Sequence, residues 1–302
     1  MTYRPFLEHR KSFLALLLCT LAPCLVQAQT IHAVVNVPVA NMFSAPSAQV
    51  DVVSQALFGD NIHVLLQEPE WVKIETPADH YIGWVKRSDL IRLGEASGYA
   101  MSGPVAVVEE LAAHLYPVPD LTKRAPSLTV PFETRLEVVK AIADHRWILV
   151  KLPNGSTLWV QRGDITLYPD AANIPKGEMS IEQMIAFSRR FLGLPYTWGG
   201  RSSFGYDCSG FVQMLMDQRG YSLPRDADQQ AAWSGFEPVN VHHLKAGDVL
   251  FFGEEGKITH TGMYIGHNKF IDATTYEHPV IQINKFNPYW HKAFICARRV
   301  KP

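Results

Sequence analysis

The sequence predicts a multi-domain protein in which two small all-β barrels precede an α+β domain. Residues 30–168 consist of short runs rich in valine, threonine and aromatics, and their pattern recurs after about 75 residues. Beyond a segment with prolines and a glycine, helical periods come first and short strands follow, an order typical of α+β domains. We therefore expect barrels at 30–93 and 104–168, a linker at 169–177 and the α+β domain at 178–302.

The first 28 residues have the pattern of a secretory signal peptide. Basic residues precede an apolar run over 13–22, and the small residues around Ala28 fit cleavage after that position. The run is about half as long as a membrane span needs. We expect an exported protein, periplasmic or secreted, with no integral membrane segment in the mature chain.

Composition excludes several classes of protein. The formal net charge is −1, so neither nucleic acid nor an anionic membrane surface is indicated as a partner. Cleavage after Ala28 would leave Cys208 and Cys296, too few cysteines for a disulfide-rich scaffold. Cys296 lies in an alternating apolar run and is most simply a core thiol.

Aromatic residues mark the internal repeat within 30–168. Positions in the first copy correspond to positions in the second, with five or so short strands expected in each copy. The corresponding pairs are Phe43 and Tyr116, Phe58 and Phe132, Trp71 and Trp147, and Trp84 and Trp159. The pattern resembles bacterial SH3-like domains. That resemblance implies binding of cell wall or a place beside an active site, whereas the simpler alternative is that the barrels only pack against the rest.

The α+β domain is predicted to open with a helix. Ser180 and Gln183 form a capping box, and the apolar residues Ile181, Met184, Ile185 and Leu192 are expected on one side of that helix. Short strands are expected at 248–252, 258–266, 269–273, 280–283 and 293–300.

Cys208 is predicted to lie in the first turn of a second helix. Phe211, Val212 and Leu215 follow it at helical spacing, and a glycine-rich turn precedes it. Unpaired N–H groups and the positive end of the helix dipole favour a thiolate there. We therefore interpret Cys208 as a nucleophile, against the alternative of a buried structural cysteine.

His260 and Asp272 are the predicted partners of that thiol. A thiolate nucleophile needs a base within hydrogen-bond reach and a third group that orients the base. His260 lies in one apolar run, and Asp272 follows twelve residues later in the next. If His267-Asn268 is the turn between them, Asp272 can accept from one ring nitrogen while the other nitrogen faces Cys208.

Three motifs in residues 178–302 resemble the NlpC-type cell-wall cysteine peptidases. They are Asp207-Cys208-Ser209-Gly210-Phe211, then residues 244–252 and then 260–266, and they occur in the order found in that family. The resemblance implies a reduced papain-like fold that cleaves peptidoglycan stem peptides without a cofactor or metal.

The resemblance also implies roles by position. Cys208 is the nucleophile, His260 the general base and then acid, and Asp272 the orienting residue. Many members have a second histidine where this chain has Asp272, but a carboxylate can perform that function.

Further residues are implied to bind substrate or to stabilise the oxyanion. Tyr196 matches a family tyrosine near the oxyanion site, and the N–H of Ser209 is an expected oxyanion donor. Asp207 beside the nucleophile and the aromatic Trp198 are expected to border the groove.

With Asp226 and two SH3-like domains in front, the chain resembles one subgroup of this family. That subgroup hydrolyses the bond from γ-D-glutamate to a diamino acid, which is diaminopimelate or lysine. In that subgroup the peptides have a free N-terminal L-alanine, whose ammonium a carboxylate such as Asp226 can pair with. Its first SH3-like domain closes the groove with an acidic residue and a tyrosine, which implies Asp51 and Tyr81 here. The alternative is a solvated aspartate and a tyrosine of the barrel wall.

Two other functions stay open at this stage. One is an endopeptidase that acts on intact, sugar-attached stems, with the barrels as wall anchors. The other is a non-catalytic wall-binding protein, against which the complete set of Cys208, His260 and Asp272 argues.

Overall fold

The computed structural model describes residues 1–2, 31–93, 98–141 and 146–301. Nearly all of the predicted signal peptide lies outside the described residues, including the expected cleavage site at Ala28. Within the described ranges, no helix is long and apolar enough to cross a membrane.

The first barrel is formed by seven antiparallel strands within residues 31–92. They lie in the order β3-β2-β6-β5-β4-β1-β7, so that the short last strand pairs with the first. The strands are β1 (Ile31–Val35), β2 (Val39–Phe43), β3 (Val52–Leu57), β4 (Asn61–Gln67), β5 (Trp71–Thr76), β6 (Tyr81–Lys86) and β7 (Leu90–Arg92).

The second barrel repeats this topology in the described part of residues 105–168. Its strand order is β10-β9-β13-β12-β11-β8-β14, the order of the first barrel advanced by seven. The strands are β8 (Val105–Val108), β9 (Ala112–Tyr116), β10 (Leu128–Pro131), β11 (Arg135–Ala141), β12 (Trp147–Lys151), β13 (Thr157–Gln161) and β14 (Ile165–Tyr168). Each copy has seven strands where five or so were expected. The short last strands, β7 and β14, pair with β1 and β8, and local sequence patterns do not reveal this pairing.

The predicted repeat is confirmed by equivalent aromatic contacts. Phe43 meets Trp71 edge to face at 5.3 Å between ring centroids, and Tyr116 meets Trp147 in the same way at 5.6 Å. Both contacts lie between equivalent strands of the two barrels. The repeated aromatics therefore mark one packing solution used twice.

The third domain is α+β, as predicted, with helices packed against an antiparallel sheet of order β17-β22-β18-β19-β20-β21. Helix α2 is buried along 208–216 and packs on the middle strands of the sheet. The elements are α1 (Ile181–Ser188), β15 (Arg201–Ser202), β16 (Gly205–Tyr206), α2 (Cys208–Asp217), α3 (Ala227–Ala231), β17 (Phe236–Val239), β18 (Val249–Glu254), β19 (Lys257–Gly266), β20 (Lys269–Thr274), β21 (Val280–Lys285), α4 (Pro288–Ala293) and β22 (Phe294–Val300).

Helix α1 begins as predicted and ends earlier than predicted. The capping box forms, with Ser180 accepting from the N–H of Gln183 and the Gln183 side chain accepting from the N–H of Ser180. The α-helix stops at Ser188 and tightens into a 3₁₀ turn before Gly193, which has φ 84°. The prediction that Leu192 shares the buried face was wrong, because this residue lies beyond the helix and is exposed.

The second barrel shares a hydrophobic core with the third domain. Phe132 packs against Phe187 and Phe191, with ring centroids 5.5 and 5.8 Å apart. The N–H of Phe132 also donates to the hydroxyl of Ser203 at 2.9 Å. This barrel is therefore fixed to the third domain by burial as well as by polar contacts.

The first barrel docks through polar contacts close to the start of α2. The side chain of Gln55 accepts from the N–H of Arg201 at 2.9 Å, and the amide of Gln213 on α2 donates to Asp79 at 3.1 Å. Satisfied hydrogen bonds of this kind specify one docked geometry.

Carboxylates from all three domains surround Arg201. Asp60 of the first barrel lies 3.9 Å from its guanidinium, and the charges of Asp79, Glu133 and Asp217 also act on it. Burial and repulsion from Asp217 raise the pKa of Glu133 to about 7. Burial likewise raises the pKa of Asp217 to about 6. The junction thus favours protonated carboxyl groups.

We expect the folded protein to lose stability as the pH rises from about 5 to 8, because Glu133 must ionise in a partly buried position. Its folded pKa lies above the ordinary 4.5, so the folded state holds the extra proton in this window and the free energy of unfolding falls with rising pH. The loss is on the order of 3 kcal/mol. Glu133→Gln keeps an acceptor for Gln218 and should flatten the dependence.

Denaturant unfolding at several pH values measures this effect. The matched control is Glu70→Gln, because Glu70 is exposed. Equal slopes of unfolding free energy against pH in the wild type and in Glu133→Gln would contradict the assignment.

Candidate active site

Cys208 is the first residue of α2, where the sequence placed it. The carboxylate of Asp207 caps the helix by accepting from the N–H of Gly210 at 2.7 Å. Cys208 is a free thiol and is buried. Because the first N–H groups of a helix have no intrahelical partner, those of Cys208 and Ser209 are suited to receive a negatively charged oxygen.

A close backbone approach explains the glycine of the Asp207-Cys208-Ser209-Gly210 motif. A Cβ at Gly210 would lie 2.3 Å from the carbonyl oxygen of Gly200, which real contacts do not permit. That same carbonyl accepts from the N–H of Asp207 at 3.1 Å. The loop that contains Gly200 therefore packs directly against the first turn of α2.

His260 and Asp272 lie side by side on neighbouring strands. The turn between β19 and β20 is formed by His267 and Asn268, whose φ values of 52° and 55° suit a two-residue hairpin. Nε2 of His260 and Oδ2 of Asp272 are 2.7 Å apart. The hairpin expected from their spacing thus brings His260 and Asp272 into contact.

Two residues that sequence reasoning missed or left unexplained complete this contact. Asn284 on β21 donates from Nδ2 to Oδ1 of Asp272 at 2.9 Å, so both carboxylate oxygens are satisfied. A Cβ at Gly262 would lie 3.0 Å from the Cβ of Asp272. The glycine leaves the room through which the Asp272 side chain reaches the imidazole.

Aromatic rings cover the imidazole of His260. Trp290 on α4 stacks on it with centroids 5.3 Å apart and planes 30° apart, and Phe252 lies 5.8 Å away. The His260 side chain is only 16% exposed. Sequence reasoning missed Trp290, although Asn287 as N-cap and Pro288 at the first helical position are a start signal for α4.

Electrostatics favour a charged imidazole. Burial lowers the pKa of His260, but hydrogen bonds with Asp272 and Cys208, and their charges, outweigh it and raise this pKa to about 10. Burial also raises the pKa of Asp272, against the bonds it accepts from His260 and Asn284. The pair therefore retains a proton at neutral pH, beside the thiol.

Tyr196 and Trp198 lie beside the same cluster. Burial and the charge of Cys208 raise the pKa of Tyr196, so its hydroxyl stays a donor near the thiol. Both residues line a cavity of about 950 Å³, and His260 forms part of its wall. Trp198 is 65% exposed, which leaves its ring available to a ligand.

Asp207 takes a different place from the predicted one. Its oxygens lie 3.0 and 2.6 Å from two nitrogens of the buried Arg225, besides the helix cap. Arg225 also donates to the hydroxyl of Ser209 at 2.8 Å. The Asp207 side chain is thus engaged in capping α2 and in pairing with Arg225, and it is only 7% exposed. Sequence reasoning did not single out Arg225, because its partners are distant in the chain.

The first barrel contacts Asp226 of the third domain through Tyr81. Its hydroxyl donates to the carboxylate of Asp226, with distances of 3.4 and 3.3 Å to the two oxygens. Asp226 is the N-cap residue of α3, but its side chain makes no cap bond. The third predicted residue, Asp51, is exposed just before β3, and among the described residues its side chain has no hydrogen bond to Asp226. Its role stays a prediction.

Family models match each of the three domains. The NlpC/P60 family matches residues 193–299, in the third domain. The bacterial dipeptidyl-peptidase Sh3 domain matches residues 42–90, and the YKFC SH3b2 domain matches residues 108–168. The three matches therefore follow the architecture described above.

Relatives extend over most of the chain. A gamma-D-glutamyl-L-lysine dipeptidyl-peptidase from Bacillus cereus is 32% identical over 259 residues, covering 82% of this chain and 75% of the relative. The protein of the same name from Bacillus subtilis is 33% identical over 233 residues, covering 74% and 72%. A crystal structure of an NlpC/P60 family protein from Bacillus cereus matches with a TM-score of 0.76 and 27% identity, covering 90% of this chain and 100% of that one.

An antiparallel sheet that carries a histidine and a carboxylate, facing a thiol at a helix start, defines a papain-like domain. With two SH3-like domains in front of it and relatives over most of its length, this chain belongs to the NlpC/P60 family.

Replacing Asp272 with asparagine should lower the pKa of His260 and so destabilise its imidazolium form. The amide oxygen is one acceptor for two donors, His260 and Asn284, and the negative charge is lost. We expect kcat/KM for peptide hydrolysis to fall by about 10²- to 10⁴-fold. Because Asp272 raises the pKa of His260, the alkaline limb of the pH profile should move to lower pH.

The measurement is kcat/KM against pH for the wild type, Asp272→Asn and Asn284→Ala. Asn284→Ala removes one bond and no charge, so its effect should be the smaller. An alkaline limb that stays in place in Asp272→Asn would refute the assigned cause.

Proposed function

We propose that this protein is a cysteine peptidase that hydrolyses the γ-D-glutamyl to diamino-acid bond of peptidoglycan stem peptides with a free N-terminal L-alanine. The observation that carries the proposal is the 2.7 Å contact of His260 with Asp272, beside the buried thiol of Cys208 at a helix start. The names of the Bacillus relatives support the bond and the substrate class.

The chemistry follows from the positions of three side chains. The thiolate of Cys208 attacks the γ-carbonyl carbon, and the N–H groups at the start of α2 receive the oxyanion. As the C–N bond breaks, the imidazolium of His260 gives its proton to the leaving amine. Water then attacks the thioester carbonyl carbon and gives a proton to the imidazole. The C–S bond breaks, which releases the dipeptide and restores the thiolate of Cys208 and the imidazolium of His260.

The end of the cleft near Asp226 suits a free amino group. Burial raises the pKa of Asp226, while Arg225 and the hydroxyl of Tyr81 lower it. Its bonds from Tyr81 and Gln229 are all 3.3 Å or longer, so the carboxylate retains capacity for a stronger donor. The first barrel, which supplies Tyr81, limits the room for a longer chain at this end.

The cavity beside His260 suits the leaving diamino acid. His260 forms part of its wall, within reach of a leaving amine that takes up a proton, and aromatic rings line it. Glu254, Glu255 and Glu277 border it together with Lys257, all four exposed, and the imidazolium of His260 lies in its wall. The excess of carboxylates favours a leaving group with a cationic side chain.

We propose export after cleavage near Ala28. We also propose the domain limits 30–93, 104–168 and 178–302, joined by the linker at 169–177.

Hydrolysis of L-Ala-γ-D-Glu-diaminopimelate, beside the same peptide with an acetylated amino group, tests this function. The wild type should cleave the free-amine peptide and not the acetylated one, and Cys208→Ser should cleave neither. Asp226→Asn should lower kcat/KM for the free-amine peptide by about 10²-fold, because an ammonium loses its carboxylate partner. Tyr81→Phe, which removes one hydroxyl, is the matched variant of smaller expected effect.

Other outcomes are equally informative. Equal cleavage of both peptides would favour an endopeptidase on intact, sugar-attached stems. Failure of the wild type to cleave either peptide, with binding of cell wall retained, would favour the non-catalytic alternative.

A further inference from the structure

Arg225 is a buried cation with every donor in use. Its side chain is 1% exposed, yet the five N–H groups of a guanidinium meet five acceptors. They are Oδ1 of Asp207 at 3.0 Å, Oδ2 of Asp207 at 2.6 Å, Oγ of Ser209 at 2.8 Å, Oγ of Ser54 at 3.2 Å and the carbonyl oxygen of Gly200 at 3.3 Å. Because every N–H group has an acceptor, these contacts hold the guanidinium in one specific position.

The helix cap creates an electrostatic conflict that this cation resolves. Asp207 must accept from the N–H of Gly210 to cap α2, which places a nearly buried carboxylate directly before Cys208. A negative charge beside a thiol disfavours the thiolate and weakens the benefit of the helix dipole. A neutral serine or asparagine would cap as well, so the cap alone does not require this charge.

Stability alone explains the pair poorly. Burying two ions costs desolvation energy, and an apolar replacement of a buried ion pair is often neutral or stabilising. Arg225 donates to the residues directly before and after Cys208, which are Asp207 and Ser209. Its place suggests that it acts on the thiol.

We propose that Arg225 is a positioning residue that neutralises Asp207, so that the carboxylate can cap the helix without opposing ionisation of Cys208. Its contact with Ser54 ties the same guanidinium to the first barrel, so docking of that barrel helps to hold the cation in place. The inference rests on the proposed nucleophilic role of Cys208 and adds the source of its electrostatic support.

The test is the rate of alkylation of Cys208 by iodoacetamide against pH, without substrate, followed by the mass of the Cys208 peptide. Reading that peptide separates it from Cys296, the other free cysteine among the described residues. The variants are Arg225→Met, Asp207→Asn and the double variant. Arg190→Met, on a more exposed arginine paired with Glu110, controls for general charge loss.

Arg225→Met should move the midpoint of alkylation to higher pH by about one unit or more, because Asp207 is then unpaired. Asp207→Asn keeps the cap and should lower the midpoint. The double variant should return close to the wild type, since neither charge remains. Arg190→Met should leave the midpoint in place.

An unshifted midpoint in Arg225→Met would overturn the proposal. So would equal shifts in Arg225→Met and the double variant, which would show that the charge of Asp207 is not what matters. If Arg225→Met does not fold, Asp207→Asn decides alone, and an unchanged midpoint there overturns the proposal. A wild type that alkylates like a free model thiol would instead contradict the nucleophilic role of Cys208.

Discussion

The buried contact between Arg225 and Asp207 joins the parts on which this structure depends. One guanidinium reaches the cap of α2, the loop at Gly200 and Ser54 of the first barrel. Its desolvation is offset only because all five donors find acceptors. The guanidinium that helps to place the thiol is therefore also one of the contacts that dock the first barrel. We expect a change in the docking of the first barrel to alter the position of the thiol, and the reverse.

The three domains form one composite unit. The second barrel shares a core with the third domain through Phe132, and the first barrel contacts Asp226 through Tyr81. We propose that the barrels shape the site in this way, beside any contact with cell wall. In our proposal, a closed end with one carboxylate is what turns a general papain-like cleft into one that requires a free amino terminus. A cavity of about 950 Å³ lies beside His260.

Local sequence signals predicted much of the fold and of the site. Helical spacing after Cys208 and the hairpin between His260 and Asp272 depend on residues close in the chain, and repeated aromatics revealed the two barrels. Trp290 and Arg225 were missed because their contacts join segments far apart in sequence. Asp207 was assigned to substrate for the same reason, since only the fold shows that Arg225 occupies it. Leu192 was misplaced because the helix tightens before it.

The measurement closest to the central claim is the intact mass of the protein after rapid mixing with L-Ala-γ-D-Glu-diaminopimelate and acid quenching. Our account predicts a transient adduct of one L-Ala-γ-D-Glu unit, located on Cys208 by peptide mapping and absent from Cys208→Ser. Hydrolysis at an undiminished rate by Cys208→Ser, or an adduct on another residue, would contradict the account.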